Sequence, residues 1–151
     1  MPSFDTSGST VRTPFGKNQY LRSTKAVKTE SYTCAAASVT AETIDGDATQ
    51  KVLQSGEVMA AITSGGDAGK VGPFQAGVAD GRQTAANIVG INDTFLPWQL
   101  MHRDVEIAVV FDAAVVQGWC FERDAAGARI ALTNATRDAM LALANLALRF
   151  S

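Results

Sequence analysis

Apolar residues are thinly scattered over the first thirty positions and then gather into short runs separated by turn residues. The densest run, Val105-Glu106-Ile107-Ala108-Val109-Val110-Phe111, is rich in Val and Ile and too short for a helix, which predicts a core strand. Ala114 to Phe121 is expected as its antiparallel partner across Asp112-Ala113. Glu57-Val58-Met59-Ala60-Ala61-Ile62 predicts a second, half-buried strand, bounded by Ser55-Gly56 and by the glycine-rich stretch from Thr63 to Gly69. Ser31 to Ile44 carries β-branched and small residues, and Asp45-Gly46-Asp47 closes it as a turn. Lys51-Val52-Leu53 reads as a strand fragment. Gly69 to Phe74 resumes an extended path that Pro73, lacking an amide donor, confines to an edge or irregular connection. Asp80-Gly81 is the strongest hairpin signal. Ile88, Val89 and Ile91 follow as a strand end before Asn92-Asp93, and Phe95-Leu96-Pro97-Trp98 reads as an apolar loop over one end of the sheet.

The C-terminal pattern differs in kind. Thr133 or Asn134 can cap an alanine-rich helix with Met140, Leu141 and Ala144 on one face. Asn145, at the left-handed position that ends a helix, should stop it near Ala144. Leu146, Leu148 and Phe150 then fall on one side of a final strand; a helix running through to Phe150 is the alternative. The fold class expected is mainly β (α+β): a small β-barrel body, a short C-terminal helix, and a last strand.

Charge divides the chain. Residues 1–30 carry Arg12, Lys17, Arg22, Lys25 and Lys28 against Asp5 and Glu30, a net +3, which leaves residues 31–151 at −5. The basic stretch is rich in Ser, Thr, Gly, Asn and Gln and cannot bury enough apolar surface to offset its ordering entropy. It reads as a flexible arm, 1–30, on a β-rich domain, 31–151. Its scattered Val11, Phe15, Tyr20 and Leu21 suit a segment that becomes a strand or wrap when a partner supplies the surface.

Chemistry is hard to place on this chain. His102-Arg103-Asp104 matches the opening of a kinase catalytic loop but lacks the downstream Asn, and as the sole histidine His102 reads as a surface ion-pair member. Gly69-Lys70 follows a glycine-rich loop, yet Ser64 and Val71 stand where a phosphate loop needs Gly and Ser/Thr. Asp45, Asp47 and Glu57 lack the spacing of a calcium loop. Cys34 and Cys120 are too few for a disulfide framework and read as small buried apolar residues. No cofactor and no metal is expected. No run approaches the roughly 20 apolar residues that cross a bilayer, the first residues lack a signal-peptide layout, and the acidic body lacks a basic-aromatic stripe. A soluble cytosolic product with neither membrane nor nucleic acid as partner is expected.

Gly56-Glu57-Val58-Met59-Ala60, then Ala79-Asp80-Gly81-Arg82-Gln83-Thr84-Ala85 leading to Ile88-Val89-Gly90-Ile91, then Asp104-Val105-Glu106-Ile107-Ala108-Val109-Val110 resembles the lambda-type head decoration protein family of tailed phages. The similarity runs from about Ser31 to Phe150 and consists of ordered strand and turn patterns. It implies a non-enzymatic cement protein, made in the host cytoplasm, that trimerises on the outer surface of the expanded capsid at local three-fold positions. Its partners would be the major capsid protein and two copies of itself. The arm would then grip the capsid by strand addition through residues 10–22, with Val11, Phe15, Tyr20 and Leu21 as anchors and Arg12 as electrostatic guide. The competing expectation is a β-rich phage tail or fibre subunit.

Overall fold

The computed structural model describes residues 17–151. Among these residues, ten strands and one α-helix follow in the order β1 (Lys28–Cys34), β2 (Glu42–Ile44), β3 (Asp47–Gln50), β4 (Val58–Ala61), β5 (Val71–Pro73), β6 (Ile88–Asn92), β7 (Val105–Val115), β8 (Phe121–Arg123), β9 (Arg129–Ala131), α1 (Asn134–Leu141) and β10 (Ala147–Phe150). The body is mainly β, with the short helix and final strand at its C-terminal end.

One six-stranded sheet organises the molecule in the order β1-β5-β4-β6-β7-β10, and β1 also pairs with β7, so five strands form a closed ring. β2–β3 and β8–β9 are separate two-stranded hairpins. The Asp45-Gly46 turn joins β2 to β3 as its residues predict: both adopt left-handed backbone, φ 52° and 84°, which matches the twist of a tight hairpin.

The apolar runs form strands because both of their faces are covered. In β4, Val58 and Ala60 join one core cluster and Met59 the other. In β7, Val110, Ala113 and Val115 join the first, with Tyr20, Ile91, Cys120, Met140 and Leu148, while Ile107 and Val109 join the second, with Cys34, Leu53, Val71, Leu96 and Leu100. A strand buried on both faces reads as a continuous apolar run rather than an alternation. Gly90 lets β6 come close to β7: its φ is 145°, and a Cβ there would sit 2.3 Å from the Val110 carbonyl oxygen.

Three expectations need correction. Asp112-Ala113 is not a turn; β7 runs straight through to Val115. The Asp112 carboxylate lies 3.7 Å from Lys28 Nζ of β1 and 3.2 Å from Arg149 Nη1 of β10, so neighbouring strands supply the charges that keep it in a strand. Asp80-Gly81 does not join a hairpin, because β5 and β6 each pair with β4 and not with one another. Instead the Asp80 carbonyl accepts from the Thr63 amide at 2.8 Å. The helix ends at Leu141 rather than Ala144, with Ala142 as its C-cap, and Asn145 does not take a left-handed conformation. Its side chain donates to the Ile88 carbonyl at 3.3 Å, tying the connection to β6. Of the expected helical face only Met140 is buried; Leu141 and Ala144 are exposed. The N-cap is Thr133, whose hydroxyl accepts from the Thr136 amide.

Candidate functional site

Packing of the described chain begins at its first residues. Asn18 Nδ2 donates to the carbonyls of Ser55 and Trp119, and Ser55 Oγ donates to the Asn18 carbonyl at 2.8 Å. Tyr20 is only 1% exposed, and its hydroxyl donates to Asp93 Oδ1 at 2.8 Å. Burial, reinforced by that carboxylate, pushes its phenol well above the ordinary value. The Tyr20 carbonyl accepts from Val116, the Arg22 amide donates to Ala114, and Leu21 bridges Val115 in antiparallel fashion. Residues 20–22 therefore prolong the flank of β7 that β1 occupies lower down.

This placement corrects the reading of Tyr20 and Leu21 as anchors offered to a partner. Tyr20 belongs to the protein's own core, and Leu21 is half-buried against the same cluster. Val11, Arg12 and Phe15 lie outside the described residues. Among the residues assigned to the arm, β1 already begins at Lys28, ahead of the expected boundary at 30.

The most heavily buried charges sit between the body's hairpins. The Glu57 side chain is fully buried; Arg123 Nε lies 2.7 Å from its Oε1, and Arg129 Nε lies 3.3 Å from its Oε2. The Gln54 amide donates to Glu57 Oε2 at 2.7 Å. Arg123 also donates to the Gly127 and Val52 carbonyls, and Arg129 reaches Glu42 and the Val52 carbonyl. Burial alone would raise the Glu57 carboxyl, but the two guanidinium groups overcome it and hold the acid below its ordinary value. Arg123 is raised in turn: burial pulls it down and Glu57 more than restores it. Such a cluster locks the loop before β4 to β8 and β9; with the carboxylate already engaged by two guanidinium groups, it is built as structure.

The other singled-out groups are similarly engaged. Lys70 Nζ lies 2.8 Å from Asp67 and 2.6 Å from Asp104, and these hydrogen bonds raise its pKa. Asp104 also accepts from the Ala36 amide at 2.8 Å and is lowered, chiefly by Lys70. Lys70 thus braces the turn before β5 against the start of β7. The His102 ring lies edge-on to Trp98 at 6.0 Å. Cys34 and Cys120 are free and buried, and burial pushes both thiols up to about 12. Among the described residues no group of His, Cys, Asp or Glu is arranged to hold a metal ion.

What the surface offers is apolar area and backbone. A single 3₁₀ turn, Gln117–Trp119, stands between two clefts. One of about 500 Å³ is lined by Lys17, Asn18, Gln54, Trp119, Phe121 and Arg129. The other, of about 410 Å³, includes Gln117, Arg137, Leu141, Leu148, Arg149 and Phe150. Trp119 is 55% exposed and Leu141 53%. β1 is also exposed at five of its seven residues although it lies in the main sheet. Neither feature is legible in sequence: Tyr32 and Thr33 look like any strand, and the covering of Trp119 depends on elements distant in the chain. Searches against protein-family models, curated proteins and solved structures found no match to this chain.

Proposed function

We propose that this chain is a structural, non-enzymatic protein of a tailed-phage head: a decoration protein that binds as a trimer to the outer surface of the expanded capsid at local three-fold sites. One observation carries the reading. The three stretches behind the family resemblance fall on β4, β6 and β7, which are consecutive neighbours in the closed ring. The stretches that carry the resemblance therefore form one laterally continuous piece of sheet.

The exposed Trp119, beside a mainly apolar cleft, is compatible with the same reading as a surface that a partner could cover. A trimer that bridges several capsid subunits adds buried area which must be broken before a junction opens, so binding energy is converted into resistance to the pressure of packaged DNA. The test is co-sedimentation of the purified protein with expanded, undecorated heads and with unexpanded precursor shells. Binding to expanded heads alone, by a species three times the 15.9 kDa chain mass, is expected; binding to neither overturns the proposal. A tail or fibre subunit would fail this test and be absent from the head surface in electron micrographs.

A further inference from the structure

We infer that β1 pairs with β1 of a second copy of this chain, antiparallel and about a two-fold axis at Thr29, so that Lys28 of each copy faces Glu30 of the other. The inference goes beyond the proposed function and is tested without capsids.

The backbone of β1 is open on one side. The Ala108 carbonyl accepts from the Asp93 amide at 2.9 Å, and the Ala108 amide donates to Thr94 Oγ1 at 3.0 Å, both on the flank of β7 that faces β6. Ser31 sits opposite Ala108 across the other flank. Opposed residues in an antiparallel ladder exchange both bonds or neither, so this pair exchanges none, and the Ser31 amide and carbonyl point away from β7. Alternation gives Thr29, opposite Val110, the same outward aim. Among the described residues no hydrogen bond takes up these groups. β5 meets β1 only at Cys34, opposite Val71, and residues 28–31 are exposed. An edge of this kind is a template for a further strand.

Side chains decide which strand fits. A two-fold axis perpendicular to the sheet keeps every side chain on its own face, so the outward groups of Thr29 and Ser31 meet in phase in each such register, and the registers differ in their side-chain pairs. Centred on Lys28, the pairing opposes two lysines; centred on Glu30, it opposes two glutamates. Like charges directly opposite are destabilising. Centred on Ser31 or Tyr32, it pairs neither charge and brings the second copy up against Cys34, which is fully buried and already paired with Val71. Centred on Thr29, it sets Lys28 against Glu30 twice, at the closely spaced positions that exchange no backbone bonds, while the two Thr29 residues bond to each other. Ser31 then faces Val27, beyond which the left-handed Ala26, φ 59°, ends the extended path.

Of the registers centred from Lys28 to Tyr32, only that on Thr29 matches both charges. The edge therefore carries its own complement, which selects a second copy: a foreign antiparallel strand would have to bring a base and an acid at the same spacing and in the same order. Lys28 lies 3.7 Å from Asp112, but Arg149 reaches that carboxylate at 3.2 Å, so Lys28 can turn to Glu30 of the second copy without leaving Asp112 alone. An isologous contact cannot close a ring of three. Where the chain also forms trimers, this contact joins one trimer to the next, and neighbouring three-fold positions on an icosahedral shell are related by local two-fold axes.

Amide shifts and exchange, followed as protein concentration rises into the millimolar range, test the inference. In the wild type, Thr29 and Ser31 should shift and gain protection together. Lys28→Glu and Glu30→Lys should each weaken this association at least tenfold while melting as the wild type does, since both side chains are exposed and Arg149 still faces Asp112. An equal mixture of the two variants should regain it, because one edge then carries two acids and the other two bases; a foreign partner gives no such rescue. Absence of concentration dependence in the wild type overturns the inference, and so does a mixture of folded variants that regains nothing. Changes at Thr29 and Ser31 that appear only when expanded heads are added assign the edge to a foreign strand and also overturn it. Head binding is read separately. Binding by a protein whose edge does not pair leaves the proposed function standing, and pairing by a protein that binds no heads overturns the proposed function alone.

Discussion

The cluster around Glu57 and the edge of β1 are both rich in polar groups, and they resolve them in opposite ways. At Glu57, charges are buried and matched atom for atom by Arg123, Arg129 and the Gln54 amide. At β1, backbone donors and acceptors at Thr29 and Ser31 face solvent beside exposed side chains. A buried polar group without its partner costs far more than an exposed one. The first region therefore specifies the fold, while the second contributes little to folding and is open to binding. Substitutions should separate the two by size of effect.

The largest effect is expected at the buried cluster. Arg123→Met leaves Glu57 buried with only Arg129 opposite it, and removing one partner of a buried pair costs about 3–5 kcal/mol. Urea unfolding of this variant should show that loss, and Glu57→Gln combined with Arg123→Met should lose less than the two single changes added together. A near-neutral Arg123→Met would mean that the cluster is not the lock described above.

Acid should reveal the same cluster. The folded-state pKa of Glu57 lies below the ordinary glutamate value of 4.5, so its ionisation contributes stability that is fully present above that value. The contribution is lost as pH falls from there through the folded pKa. Asp104, also lowered, is more exposed and adds a smaller acid-sensitive share. Urea midpoints measured from pH 7 downward should therefore fall below about pH 4.5 in the wild type, following the ordinary carboxylate range. In Glu57→Gln, already weaker at neutral pH, the decline should be shallower.

Tyr20 marks where the closed and open parts of one flank meet. Residues 20–22 continue the line of β1 along β7, but there the tyrosine is buried and its hydroxyl is bonded to Asp93. Tyr20→Phe should cost about 1 kcal/mol, the usual net value of one hydrogen bond. Removing residues 1–16 leaves these contacts in place, whereas a truncation extended through residue 22 deletes a core side chain and should destabilise more strongly. Equal melting of the two truncations would show that Tyr20 does not belong to the core.

Much of the ring was legible because its strands are written locally. Val58–Ala61, Ile88–Asn92 and the first part of β7 announce themselves as short apolar runs, and Asp45-Gly46 announces its turn. The misreadings share one cause: the partner that decides the conformation is far away in sequence. Asp112 reads as a turn until Lys28 and Arg149 flank it. Tyr20 reads as a stray arm residue until Asp93, Val58 and Val115 surround it. Glu57 reads as the polar side of a half-buried strand, because nothing near it hints at an arginine 66 residues on. The open edge of β1 is harder still, since it is defined by where β5 turns away and not by any residue in β1.

The smallest stability effect, and the sharpest contrast with Arg123→Met, belongs to Ser31→Pro. The Ser31 amide makes no bond to β7, and proline at a strand edge with its missing donor facing outward is tolerated. Its cost in urea unfolding should stay within about 0.5 kcal/mol, as for surface changes away from special features. Amide exchange gives the same argument residue by residue. Glu30 and Tyr32 point their amides at β7 and should exchange slowly, whereas in dilute protein Thr29 and Ser31 should exchange nearly as fast as unstructured chain. Uniform protection along β1 would mean that the edge is covered in the free protein, and the distinction between a polar region that builds the fold and one held open for a partner would fail.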